Sequence, residues 1–158
     1  MEGEQAVEFT LTGIDENGQE GVFTLSGLLE GAGRLVLYFY PRDNTPGCTQ
    51  EACDFRDNLN RILPYARVAG VSADKVESHK RFRDKHALNF PLLSDPVHKV
   101  MEAYGAWGQK TSYGKTTTGA IRSTYIIAGD GTVIKRYKAV KATGHVQKIM
   151  DYLRGISG

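Results

Sequence analysis

The fold follows from one stretch of sequence, in which an apolar strand runs directly into a helix that carries both cysteines: Tyr38-Phe39-Tyr40-Pro41-Arg42-Asp43-Asn44-Thr45-Pro46-Gly47-Cys48-Thr49-Gln50-Glu51-Ala52-Cys53. Pro41 ends the strand, Thr45 offers a side-chain oxygen for a helix N-cap, and Pro46 suits the first helical position. Cys48 is then the third helical residue, close to unpaired N–H groups and the positive end of the helix dipole. Thiols ionise readily in such a position, so the stretch predicts a reactive cysteine.

The bulk composition is that of one globular domain spanning residues 1–158. The chain has 158 residues, 41% of them hydrophobic, which is enough for a core that needs no disulfides. A formal charge of +2 argues against a dedicated nucleic-acid-binding protein. The polar start, residues 1–5, does not resemble a signal peptide, and no apolar run approaches the roughly 20 residues of a membrane span. We therefore expect a cytoplasmic protein, in which two cysteines are more often catalytic or redox-active than structural.

Periodicity along the chain predicts a single α/β domain with a sheet of parallel and antiparallel strands. The predicted strands are residues 7–11, 22–25, 35–40, 68–72, 91–93, 123–127 and 133–137, and the predicted helices are residues 26–29, 46–63, 76–86, 97–104 and 145–153. The Gly-, Thr- and Lys-rich residues 107–119 are predicted to form a loop. His79 and His86 lie on a charged helix, where we expect them to be solvated.

The two cysteines lie on different sides of the predicted helix. Cys48 shares the core-facing side with Ala52 and Phe55, whereas Cys53 is rotated by about 140° towards the outer side. Their Cα atoms would be about 8 to 9 Å apart, beyond the limit of about 7 Å for a disulfide. Either the two cysteines never pair, or the first turns of the helix unwind to let them meet. A zinc site is not favoured, because no second pair of cysteines lies at ligand spacing.

The same residues resemble a known family. Pro41-x-x-x-Thr45-x-x-Cys48 is similar to the active-site signature of the peroxiredoxins, and the whole string resembles the bacterioferritin comigratory protein, or peroxiredoxin Q, subgroup. The resemblance extends along most of the chain, through Phe90-Pro91-Leu92-Leu93-Ser94-Asp95, Ile121-Arg122-Ser123-Thr124-Tyr125 and Gly144-His145.

This resemblance implies a thioredoxin-like fold, with a central mixed sheet flanked by helices, and a role for each residue of the signature. Cys48 would be the peroxidatic cysteine and Cys53 the resolving cysteine, joined after oxidation in an intramolecular disulfide. Thr45 would hydrogen-bond the sulfur or the peroxide, Pro41 would shield the pocket from water, and Arg122 would hold the thiolate and polarise the peroxide. Glu51, one turn after Cys48, would orient Arg122.

The resemblance also implies the substrate and the partners. A thiol peroxidase of this kind reduces hydrogen peroxide and organic hydroperoxides, needs no metal, haem or flavin, and is recycled by a thioredoxin-type or glutaredoxin-type reductant. The subgroup implies a monomer, and from the charge and the lack of a long apolar run we expect no nucleic-acid or membrane partner. A second hypothesis stays open, that of a thioredoxin-like dithiol oxidoreductase or redox sensor. The four residues between the cysteines disfavour it, because one helical turn holds a disulfide across two residues.

Overall fold

The structure is a computed structural model that describes residues 2–157, and it contains nine strands and five helices in this part of the chain. The strands are β1 (Thr10–Ile14), β2 (Glu20–Thr24), β3 (Arg34–Phe39), β4 (Arg67–Ser72), β5 (Leu92–Ser94), β6 (Trp107–Ser112), β7 (Lys115–Ala120), β8 (Ser123–Ala128) and β9 (Val133–Lys138). The helices are α1 (Leu25–Leu29), α2 (Pro46–Ile62), α3 (Val76–His86), α4 (Lys99–Ala103) and α5 (His145–Ser157).

Seven strands form one sheet in the order β2-β1-β5-β4-β3-β8-β9. The pairs β3/β4 and β4/β5 are parallel, whereas β1/β2, β1/β5, β3/β8 and β8/β9 are antiparallel. The predicted mixed sheet is therefore confirmed, and β8 and β9 form a hairpin within it. Connections through α2 and α3 link the parallel strands, as a parallel pair requires.

Both faces of the sheet are covered, which explains why β3 is apolar throughout. Val36 and Tyr38 point to a core shared with α2, α3 and α5, and Leu35 and Leu37 point to a second core with α1 and α4. Within the first core the Tyr38 ring stacks on Phe55 of α2, with ring centroids 4.6 Å apart. This packing fixes α2 against the centre of the sheet, and so determines where its first turn lies.

The structure corrects the prediction for residues 107–119. They form a β-hairpin instead of a loop, because β6 and β7 pair antiparallel from Trp107 and Ala120 to Ser112 and Lys115. The strand β7 is exposed except near its end, so it lacks the alternation of apolar and polar residues that marks a half-buried strand. Its threonines nevertheless favour extended backbone.

The predicted boundaries of the other elements differ from the observed boundaries by only a few residues. The first strand begins at Thr10 rather than at residue 7 and continues to Ile14, where it pairs with β5 as well as β2. The last helix continues to Ser157 instead of ending at residue 153. Helix α3 has the predicted bounds. Within residues 2–157, no helix combines the length and apolarity needed to cross a bilayer.

Candidate active site

Cys48 lies in the first turn of α2, where the sequence places it. Thr45 is the N-cap residue and Pro46 the first helical residue, so Cys48 is the third. The Thr45 hydroxyl does not cap the helix but donates a hydrogen bond to the Arg42 carbonyl at 2.8 Å. This bond closes the turn that leads from β3 into α2. The predicted contact of Thr45 with the sulfur or a peroxide stays a prediction, as does the shielding role of the half-buried Pro41.

The guanidinium of Arg122 lies next to the sulfur of Cys48. Nη2 of Arg122 donates a hydrogen bond to Cys48 Sγ at 3.3 Å, and the cysteine itself is 1% exposed. Arg122 is held by its backbone, because its carbonyl accepts a hydrogen bond from the amide of Val140. Gly47 makes room for this approach, since a Cβ there would lie 3.1 Å from Arg122 Nη2. The predicted proximity of Arg122 and Cys48 is thus present in the structure.

Glu51 binds the other arm of the same guanidinium. Its Oε1 accepts a hydrogen bond from Arg122 Nη1 at 2.5 Å, and the side chain is fully buried. Its second oxygen, Oε2, has no hydrogen-bond partner in the described structure. Burial raises the pKa of Glu51 to about 7 and outweighs the opposing effect of Arg122. Glu51 therefore orients Arg122 while it remains able to gain or lose a proton near neutral pH.

The charges around Cys48 act on one another. Burial lowers the pKa of Arg122, but Glu51 and Cys48 outweigh it, so the net pKa lies above the ordinary value and the group stays cationic. The buried hydroxyl of Tyr38 has no hydrogen-bond partner among the described residues, and burial, followed by the charges of Glu51, Asp43 and Cys48, raises its pKa well above 10. The arginine is consequently the positive group of this site, and the arrangement suits a sulfur that carries or develops negative charge.

Cys53 lies half-buried on α2, and both cysteines are free thiols. Cys48 belongs to the core between α2 and the sheet, whereas Cys53 does not. The geometry agrees with the expectation that an intact α2 keeps the two sulfurs from bonding. A Cys48–Cys53 disulfide thus requires the first turns of α2 to change conformation.

His79 was predicted to be solvated, and this prediction is wrong. The side chain is fully buried, and its Nδ1 lies 2.7 Å from Oδ2 of Asp43, which is also buried. Its Nε2 lies 2.8 Å from the Leu93 carbonyl. His79 and Phe82 are one turn apart and share the helix face that meets the core, although much of α3 is charged. That spacing is the one feature of the sequence that indicates a buried His79. No feature of the sequence indicates a buried Asp43.

Comparisons with known proteins identify the family to which this chain is related. The sequence profile of the AhpC/TSA family matches residues 3–136. A peroxiredoxin homologue of Mycobacterium tuberculosis (strain H37Rv) is 46% identical over 149 residues, 93% of this chain and 90% of that protein. Peroxiredoxin Bcp of Bacillus subtilis is 45% identical over 124 residues, 78% of this chain and 79% of that protein. The solved structure of the Xanthomonas campestris bacterioferritin comigratory protein has a TM-score of 0.80 and 34% identity, covering 94% of this chain and 92% of that chain.

Proposed function

This chain belongs to the AhpC/TSA family and is a peroxiredoxin, a thiol-dependent peroxidase with a thioredoxin-like fold, and we propose that Cys48 is its peroxidatic cysteine and Cys53 its resolving cysteine. The observation that carries the assignment is the 3.3 Å hydrogen bond from Arg122 to Cys48 Sγ at the start of α2. A half-buried cation and the positive helix end both favour a thiolate there. Cys53, half-buried and outside the core, has no such partner cation bonded to its sulfur in the described structure.

The first step is an attack on the peroxide bond. The Cys48 thiolate forms an S–O bond as the O–O bond breaks, which gives a sulfenic acid, and the departing hydroxide or alkoxide takes up a proton to leave as water or an alcohol. Arg122 stabilises the negative charge as it moves from sulfur to the leaving oxygen. Thr45, within the same turn, supplies a hydroxyl to the peroxide once it turns from Arg42, and Pro41 limits the access of water.

The second step regenerates the enzyme. The Cys53 thiol attacks the sulfenic sulfur, which forms the S–S bond and releases water, and an external dithiol then reduces the disulfide while it is itself oxidised. Peroxiredoxins use thioredoxin-type reductants, and we propose that a thioredoxin or glutaredoxin serves this chain. The reaction as written balances without a cofactor. We further propose that the chain acts as a monomer in the cytoplasm. Light scattering of the purified protein tests whether it is a monomer.

Counting thiols after one equivalent of hydrogen peroxide tests the assignment. The wild type is expected to lose two thiols within seconds, Cys53→Ser one thiol, and Cys48→Ser none. Cys53→Ser should also lose sustained turnover with thioredoxin while it keeps the first oxidation. Rapid turnover in Cys48→Ser would refute the assignment. Reduction of insulin without peroxide would instead favour a dithiol oxidoreductase.

A further inference from the structure

Asp43 is held more firmly than its position in a connecting turn would suggest. Its carboxylate accepts hydrogen bonds from the Tyr40 hydroxyl at 2.6 Å, the Ser78 hydroxyl at 2.8 Å and His79 Nδ1 at 2.7 Å. Its backbone N–H donates to Oδ2 of Asp74 at 2.8 Å. The side chain of Asp43 is therefore attached to Tyr40, directly after β3, and to α3, and its backbone is attached to the segment that joins β4 to α3.

The hydrogen bonds also define the protons of the Asp43–His79 pair. A carbonyl oxygen only accepts, so the Nε2 of His79 that faces Leu93 carries a hydrogen. A second hydrogen bond joins Nδ1 to the Asp43 carboxylate at 2.7 Å. A buried ionisable pair is stable only when its remaining polar atoms are hydrogen-bonded as well. Here the hydroxyls of Tyr40 and Ser78 donate hydrogen bonds to the Asp43 carboxylate.

The position of the pair gives it a part in the reaction. Asp43 precedes Cys48 by five residues, and the chain between them turns through Asn44, at φ 61°, to Pro46, which has no N–H. The turn is closed by the single bond from Thr45 to the Arg42 carbonyl. Asp43 is therefore a firmly held point at the start of this turn, directly before the residues that have to move if Cys48 and Cys53 are to meet.

We propose that the buried Asp43–His79 pair anchors the chain before the peroxidatic cysteine, so that α2 opens from the residues after Asp43 and the rate of opening depends on this anchor. Both are positioning residues, since neither touches the sulfur in the described contacts. The inference rests on the proposed function, because opening matters only if Cys53 resolves Cys48. Loss of the anchor makes opening more frequent, which speeds disulfide formation and slows the first oxidation.

Hydrogen exchange on the reduced protein tests the anchor. His79→Gln is the main variant, because one amide cannot reproduce bonds on opposite sides of the imidazole ring. We expect the amides of residues 49–53, the first of α2 with intrahelical hydrogen bonds, to exchange about tenfold faster, the effect of losing one hydrogen bond to a charged group. Amides of α5 should keep their wild-type rates. Asp43→Asn is the matched conservative variant, since its amide can donate to a neutral His79 and still accept from Tyr40, and it should stay within about threefold of wild type.

Glu77→Gln, an exposed change on the same helix as His79, serves as the control and should leave the exchange of residues 49–53 unchanged. If His79→Gln fails to fold, Ser78→Ala removes one bond to Asp43 and should still raise the exchange of residues 49–53 severalfold. Unchanged exchange there, or an equal rise in α5, would overturn the proposal. The rate of disulfide formation after one equivalent of peroxide is measured in parallel. A wild type that forms no disulfide would refute the proposed function, whereas the exchange data would still decide on the anchor.

Discussion

Replacing Glu51 by glutamine tests the electrostatics next to the cysteine with little change in shape. The glutamine carbonyl can still accept the bond from Arg122 Nη1, so the orientation of the guanidinium is kept. What the change removes is a buried carboxyl group whose pKa burial raises from 4.5 to about 7. The variant therefore isolates the effect of one ionisation on the stability of the protein.

The sign of this effect follows from the direction of the shift. Because the folded chain binds this proton more tightly than the unfolded chain does, the contribution of Glu51 to stability is full below about pH 4.5. As the pH rises, the free energy of unfolding falls. Above about pH 7 Glu51 is ionised in the folded chain, and the loss of stability is complete. A shift of this size corresponds to about 3 kcal/mol, since one pKa unit is about 1.4 kcal/mol.

Thermal or urea unfolding of wild type and Glu51→Gln at pH 4.5 and at pH 8 measures the effect. We expect the variant to gain about 3 kcal/mol relative to wild type between these values, or about 6–12 °C in melting temperature. All other titrating groups are common to both chains and cancel in the comparison. Glu30→Gln, an exposed substitution, should show no such change between the two pH values. An equal difference between Glu51→Gln and wild type at both pH values would refute the reasoning.

Three further changes have definite expected outcomes. Arg122→Lys should slow the first oxidation by peroxide about 100-fold in stopped-flow fluorescence, because one ammonium group cannot hold both sulfur and carboxylate as the fork does. Gly70→Ala should lower the free energy of unfolding by about 1–3 kcal/mol, since a Cβ there would lie 2.8 Å from Tyr38. Thr124→Val should cost about 1–3 kcal/mol in urea unfolding, because it leaves buried His145 Nε2 without its partner at 2.8 Å.

Each of these three predictions has a control variant or a result that would contradict it. Gly33→Ala adds a methyl group into open space and should change stability by less than about 1 kcal/mol. A rate within threefold of wild type in Arg122→Lys would show that charge alone suffices at this position. Wild-type stability in Thr124→Val would show that the hydroxyl does not stabilise the buried imidazole.

The sequence predicts those parts of the fold and site that depend on local chemistry. The end of a strand and the start of a helix are indicated by Pro41, Thr45, Pro46 and Cys48 in that order. The structure has this boundary. The hairpin at residues 107–120 was missed because most of β7 faces water, so its composition follows solvent exposure instead of a two-residue period.

The buried polar residues were harder to predict for a different reason. Asp43 lies in a polar turn and His79 on a charged helix, so each alone has the pattern of a solvated residue. They become buried only because the connection through α3 brings them together across 36 positions of sequence. Such pairing depends on the tertiary arrangement, and neither residue's neighbours in sequence contain it.

The separation of Cys48 and Arg122 in sequence has a consequence for the time at which the thiol becomes reactive. The two residues are 74 positions apart, and the strand β8 that follows Arg122 must pair with β3 to bring them together. During synthesis at about 5–20 residues per second, the arginine follows the cysteine by about 4–15 s. A nascent chain on the ribosome thus exposes Cys48 without a guanidinium beside it. Given the proposed roles of Cys48 and Arg122, completion of the sheet is what activates the thiol, so the unfinished chain reacts with peroxide only as an ordinary thiol does.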